Sequence, residues 1–351
     1  MEIIISFFSD KIAVPSLLKY VVLLLLVFLL GIPPVQAAES PLRITVSLVG
    51  PRNLSYLPID LIPRIGIDQE EGVQLILNHV GGGGVAIKQT LARNSDFAVA
   101  GFPAVMSLKA NGGTMLGVAS VSDATLFVLI VRAALQDEVK RIADLKGRVI
   151  GIHNSSVNAK TVAQQLTELL LFSDGGSEHD IRMVPVGQNW EERALLLENG
   201  KVDAIMAEEP FASVMIQEKK VFALANLADP AVSGRIPGSH FLHAAVTTRP
   251  DVIQNEPVKV QRMVTMVRRA LQWIASHTPE ELVEKMAVAD EKERQGLLLA
   301  LKKYPRLYSP NGAFSRQQMA DTNQFFKFTN PKQDGITMES LIHDQWAGQR
   351  E

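Results

Sequence analysis

The chain of 351 residues contains no cysteine. That absence excludes a disulfide scaffold, a thiolate nucleophile, a zinc site built on sulfur and a lipid-modified cysteine behind an export leader. An excess of either charge is also missing. Lys and Arg number 35 against 37 Asp and Glu, with no basic tract, so nucleic acid is not an expected partner. Catalytic signatures are scarce as well. The seven histidines form no His-Glu-x-x-His pair, and His240-x-x-His243 sits in a strand-like run where the two side chains point to opposite faces. No Gly-x-Ser-x-Gly elbow occurs. Gly81 to Gly84 is not a P-loop, because Lys88 falls inside the following helix, and it does not match the dinucleotide fingerprint. Asp203, Glu208 and Glu209 are not spaced as an obvious acid/base pair. Neither a catalytic residue nor a metal or cofactor site is expected.

What is present begins with residues 1–37, which read as an export leader. Lys11 and Lys19 flank it with positive charge, Val21 to Leu30 is an unbroken apolar run, and Val35-Gln36-Ala37-Ala38 is a small-residue cleavage pattern. The mature protein is expected to start near Ala38 and to work in the periplasm, where ATP- or NAD-consuming activity is out of place. The alternative is an uncleaved anchor, since Val14 to Ile32 nearly spans a bilayer if Lys19 snorkels. Removing Lys11, Lys19, Glu2 and Asp10 with the leader leaves 33 basic and 35 acidic residues. The remaining 314 or so residues suggest two domains or one two-lobed unit.

Short apolar runs alternate with amphipathic stretches, the pattern of an α/β protein with mainly parallel pairing. Strand-like runs occur at 43–49, 73–80, 97–100, 114–119, 126–132, 148–153, 181–186, 204–207, 221–227 and 241–247. Over 189–200 the local signals predict a helix, with Asn189 as cap, Glu192 completing a capping box and Asn199-Gly200 as a left-handed stop. Beyond Thr247 helices take over. Val260, Met263, Val264, Val267, Leu271 and Ile274 recur at helical spacing, with Arg262, Arg268 and Arg269 off that stripe. Thr278-Pro279 starts another helix, and Ser315 to Phe328 is a further one.

Four turns share one arrangement, an apolar strand delivering small or hydroxyl residues to a helix start. They are Gly50 to Tyr56, Gly81 to Gly84 before a helix over 85–92, Gly101-Phe102-Pro103, and Asn154-Ser155-Ser156 before a helix over 157–171. In an open α/β sheet such turns lie at the carboxyl ends of the strands, where the crevice forms. Helix starts there expose N–H groups that favour an anion or a polar oxygen. Plainer readings stand beside this one. Gly81 to Gly84 also suits a flexible link, Ser155 or Ser156 a helix cap, Trp190 a core or lip position, and Glu208-Glu209-Pro210 a helix start.

The segments 46–106, RIADLKGRVIGIHNSS (141–156) and ALLLENGKVDAIMAEEPFAS (194–213) together resemble the nitrate/sulfonate/taurine and thiamine-precursor class of ABC-transporter substrate-binding proteins. Asp144 to Gly147 before a strand, and Gly200 to Ala204 followed by Glu-Pro, are the sharpest pieces. The resemblance covers about residues 42–330. It implies a two-lobed type II periplasmic-binding-protein fold: lobe 1 from 41–128 plus 240–351, lobe 2 from 129–239, with the strands at 126–132 and 241–247 carrying the chain across.

The ligand residues it implies are Asn53, Ser55 and Tyr56 on the first loop, Gly82, Gly83 and Gly84 on the second, and Gly101 and Phe102 on the third. Ser122, Asn154, Ser155, Ser156, Trp190 and Glu209 complete the set, with Arg52 as an added candidate. Arg52 would pair bidentately with a sulfonate or carboxylate, and its plain reading is an exposed loop charge. Glu209, if it faces the cleft, would instead suit an amine, an amidine-like pyrimidine or a zwitterion such as taurine. The family's pyrimidine-making enzymes use a cysteine-rich motif that this chain lacks. The expectation is a monomer that captures a small polar solute for a membrane ABC permease, without a cofactor. Alternatives are a thiamine-precursor binder, an extracytoplasmic sensor and, third, an envelope enzyme.

Overall fold

The computed structural model describes residues 40–50, 53–153, 160–187 and 189–351. The leader, Arg52, Asn154, Ser155 and Ser156 lie outside the described residues. Among the described residues no helix is long and apolar enough to cross a membrane.

Ten strands build two five-stranded sheets of identical layout. The first sheet contains β1 (Leu42–Val49), β2 (Val73–Val80), β3 (Phe97–Ala100), β4 (Leu116–Ser122) and β10 (Ala244–Thr248), in the order β2-β1-β3-β10-β4. The second contains β5 (Phe127–Arg132), β6 (Val149–His153), β7 (Arg182–Val186), β8 (Ala204–Glu208) and β9 (Val221–Asn226), in the order β7-β6-β8-β5-β9. In each, the second strand (β1 or β6) pairs in parallel with both of its neighbours, and β3 or β8 takes the middle of the sheet. The antiparallel member (β10 or β5) is the strand that has just arrived from the other sheet. The chain thus crosses twice, after β4 and after β9.

Parallel strands need cover on both faces, and the amphipathic helices supply it. Ile44, Val46 and Leu48 of β1 pack with Val260, Met263, Val264 and Val267 of the helix Pro257–Ser276. Each such side chain contributes about 1.5–3 kcal/mol of hydrophobic burial. The off-stripe arginines point away from this core, and Arg262 and Arg269 each bond Glu71 at 2.8 Å. In the second sheet β5 is buried on both faces. Leu129 and Val131 meet Leu166 and Leu170 of the helix Val162–Ser173, while Val128 and Ile130 meet Leu197, Phe211 and Met215.

All ten strand-like runs form strands, with ends that differ where another partner takes the backbone. Phe241 and Leu242 stay out of β10, because Phe241 stacks on Phe325 at 4.3 Å and the Leu242 N–H donates to Thr322 Oγ1 at 2.9 Å. Cap readings hold in several places. Asn189 Oδ1 accepts the Glu192 N–H at 2.8 Å, and Gly200 follows that helix with φ +64°. Thr278 and Glu281 form a reciprocal capping box. The helix expected from Val157 starts instead at Val162, where Thr161 Oγ1 accepts the Gln164 N–H at 3.1 Å.

Candidate functional site: a cleft between the two sheets

The repeated layout fixes where a cleft forms. At a point where parallel strands run out to either side of a central strand, the loops at their carboxyl ends part and leave a crevice. The antiparallel strand beside them presents its amino end at that same edge. Both edges face each other here, around a shared cleft that opens to solvent. From the first sheet come Val49 at the end of β1, Gly82, Gly83 and Gly84 after β2, Gly101 and Ala104 after β3, His243 just before β10, and Tyr56 from the first loop. From the second come Glu208 at the end of β8, Phe127 at the start of β5, and Thr161, Val162 and Ala163 at a helix start.

Two helices of useful length begin on opposite walls. Gly82 offers no side chain to cap the helix Gly83–Leu91, and a methyl group on Gly83 would stand 3.2 Å from Ala100 Cβ. The helix Val162–Ser173 begins opposite. The first N–H groups and the positive end of each helix dipole therefore border the space. Gly101 lets the walls approach: a Cβ there would lie 2.7 Å from Val162 Cγ2 and 3.2 Å from the His243 carbonyl oxygen.

The charged chemistry centres on Glu208, which is buried and cross-strand partner to Phe127. The side-chain amide of Asn53 donates to Glu208 Oε2 across the cleft, and Asn53 Oδ1 accepts the Ser55 N–H at 3.0 Å. Burial pushes the Glu208 carboxyl up to about 7, against the opposing pull of the nearby Arg193 charge and of the Asn53 hydrogen bond. Arg193 is itself buried, with its guanidinium 4.0 Å from the Phe211 ring centroid, and desolvation lowers it to about 10. Burial and then the Glu208 charge raise the Tyr56 phenol well above its usual value. His243 is only 1% exposed, and among the described residues neither ring nitrogen has a hydrogen-bond partner. Burial lowers its imidazole to about 4, so it is neutral near pH 7.

Of the residues named from the sequence, the structure gathers Tyr56, Gly82, Gly83, Gly84 and Gly101 around the cleft, with Asn53 bonded to its wall. Others are engaged elsewhere. Phe102 packs with Met106, Phe314 and Phe326 in a separate apolar cluster. Ser122 Oγ donates to the Ala124 and Leu307 carbonyls, each at 3.3 Å. Trp190 packs edge-on against Phe211 at 5.6 Å. Ser55 is buried behind Asn53. Glu209 accepts the Ser213 N–H at 3.0 Å, the Ser213 hydroxyl at 2.8 Å and the Tyr304 hydroxyl at 3.3 Å, so it ties down a helix start instead of facing the cleft.

Glu208, His243 and Thr161 line the cleft without having been singled out for it. The signal for Glu208 was one residue of strand length. Ending the strand at Ala207 hands the cleft position to the wrong one of two adjacent carboxylates, whereas β8 runs to Glu208.

The NMT1/THI5-like family model matches residues 69–281, well over half of the chain. The chain belongs to the NMT1/THI5-like family. No curated protein matches it in sequence. Solved structures share its fold at low identity. A protein from Bordetella bronchiseptica RB50 aligns with TM-score 0.76 and 18% identity over 88% of this chain and 96% of its own. The alkanesulfonate-binding protein SsuA from Xanthomonas axonopodis pv. citri, solved bound to MOPS, gives 0.68 and 14% over 87% and 99%. A Candida albicans gene product described as having the generic periplasmic binding protein fold gives 0.69 and 12% over 88% and 98%. This NMT1/THI5-like chain therefore has the periplasmic-binding-protein fold, with mixed α/β sheets in two sets.

Proposed function

We propose that the protein is an extracytoplasmic solute-binding protein that captures a small polar solute in the cleft and presents it to a membrane ABC permease. One observation carries this reading: loops from both sheets wall a single cleft, and the Asn53–Glu208 hydrogen bond already spans it. Residues 41–128 with 240–351 act as one lobe and 129–239 as the other, hinged at the two crossings. Residues 1–37 act as a signal peptide, and the mature chain works as a monomer. A solute touching both walls stabilises the closed arrangement only through its greater affinity for that state. Holding a solute this way needs no covalent step and no cofactor. The absence of any cysteine removes thiol chemistry from the cleft. The likeness to an alkanesulfonate-binding protein supports a small organic ion as the solute class.

Mass spectrometry of small molecules released from the purified protein tests the reading. An intact solute at near one per chain, whose re-addition raises the melting temperature by mass action, is the expected result. Steady conversion of an added solute into a product would point to an enzyme instead.

A further inference from the structure

One helix belongs to the cores of both halves. In Arg316–Thr329, Phe325 is buried in the cluster of Leu166, Leu170 and Phe127 at the second sheet, whereas its neighbour Phe326 packs with Phe102 and Ala245 at the first. Successive helix positions lie about 100° apart, so the two rings point to different sides. The helix is anchored on the first side. There the Asn323 amide donates to Glu339 Oε2 at 2.9 Å, and Asn323 Oδ1 accepts the Met338 N–H at 2.7 Å.

The same helix runs along both crossings. Gln318 Nε2 donates to the Asp123 carbonyl of the first at 3.2 Å, and Thr322 Oγ1 accepts the Leu242 N–H at the end of the second at 2.9 Å. Between these points Gly238 (φ +66°) lies so close that a Cβ there would overlap the Asp321 carbonyl oxygen and the Phe325 nitrogen. The crossings also hold each other, because Thr125 Oγ1 donates to the Ser239 carbonyl at 3.0 Å.

At its carboxyl end the helix reaches the second half. The Thr329 hydroxyl donates to Oε1 of buried Gln165 at 2.9 Å. Gln165 sits in the first turn of Val162–Ser173, the turn whose Val162 and Ala163 wall the cleft. This bond is made with the cleft walls together, as the Asn53–Glu208 hydrogen bond and the close approach of Gly101 to Val162 show. Rotation about the crossings would carry Gln165 away from the anchored helix. Thr329 then keeps an acceptor, since the Phe325 carbonyl lies 2.9 Å from its hydroxyl. Parting the pair therefore leaves no buried donor orphaned, so the contact is reversible.

Taking solute capture by cleft closure as given, we propose that Gln165 and Thr329 are positioning residues that form a latch, remote from the solute, favouring the closed arrangement. They act through the population of that arrangement, and a solute that needs it binds more weakly in proportion as the population falls.

Pulsed electron spin distance measurement on the ligand-free mature protein tests this. The chain has no cysteine of its own, so spin labels at Lys88→Cys and Glu191→Cys, both exposed and one on each half, report the separation of the walls. Gln165→Ala and Thr329→Val should each raise the ratio of long to short distances about 5-fold, the effect of one hydrogen bond made only when closed. Thr329→Ser retains the hydroxyl and should match the wild type. Asn53→Ala, which removes the hydrogen bond across the cleft itself, should shift the distances the same way and serves as the reference.

Distances that Asn53→Ala moves and neither latch variant moves overturn the proposal. So does a lower melting temperature in Gln165→Ala with unmoved distances, the pattern of a purely structural glutamine. Distances that none of these variants moves overturn it as well. Mass spectrometry of released small molecules separates the two levels: an intact solute with unmoved distances leaves solute capture standing without the latch, and lengthened distances with no solute leave the latch standing without capture.

Discussion

Glu208 and His243 should give the ligand-free protein two opposite pH dependences that overlap. In the unfolded chain Glu208 loses its proton near its ordinary value of 4.5, and in the folded protein near 7. Between those values the folded state binds one proton more than the unfolded state, so stability falls as pH rises. At about 1.36 kcal/mol per pH unit, that window removes about 3 kcal/mol. His243 works the other way. Its ordinary value is 6.5 and its folded value about 4, so between these the unfolded chain binds one proton more and stability rises with pH, again by about 3 kcal/mol.

In the wild type the two slopes largely cancel from pH 4.5 to 6.5. Single variants separate them. Relative to wild type, Glu208→Gln should gain stability from pH 4.5 to 7, and His243→Leu should lose it from pH 4 to 6.5. Urea unfolding of the ligand-free proteins across this range, at constant ionic strength, gives the two difference curves. Surface carboxylates such as Glu71 and Glu218, held low by their arginine and lysine partners, contribute equally to all three proteins and drop out. Flat difference curves, or curves of the same sign, would mean that water reaches both groups and that the cleft wall is not the dry environment described.

Gly101→Ala should obstruct closure, because the new methyl would stand 2.7 Å from Val162 Cγ2 on the opposite wall. Overpacking of this kind costs about 1–3 kcal/mol, so solute affinity should fall about 10-fold, and unchanged affinity by calorimetry would contradict the close approach. Glu209→Ala removes the acceptor for the Ser213 N–H and hydroxyl and for Tyr304. It should lower the urea midpoint by the equivalent of about 1–3 kcal/mol while leaving the charge preference for solute unchanged. A switch in that preference would show that Glu209, not Glu208, meets the solute.

Strand positions were legible because buried parallel strands read as apolar runs between turn residues, and every such run became a strand of the two sheets. The long C-terminal helix was legible from its stripe, as Val260, Met263 and Val267 all face the first sheet. Glycines that border the cleft were legible too, since those at the ends of β2 and β3 mark where a chain must turn under a helix start.

Side chains that depend on register were less so. Glu208 and Glu209 differ by one position, and only the strand end decides which faces the cleft. His243 was harder still. It looked like one of two histidines in a strand, whereas its position at the cleft comes from Phe241 and Leu242 being held by Phe325 and Thr322, contacts about 80 residues away in sequence. Arg193 sits mid-helix in a charged stretch, and nothing local marks it as buried against Phe211 beside Glu208.

Crystallising the mature protein with the solute that raises its melting temperature tests solute capture most directly. Density for the solute should lie between Gly82–Gly84 and Thr161–Ala163, within hydrogen-bonding distance of His243 and in contact with both walls. Density that touches one sheet alone, or lies outside this cleft, would contradict capture between the two sheets.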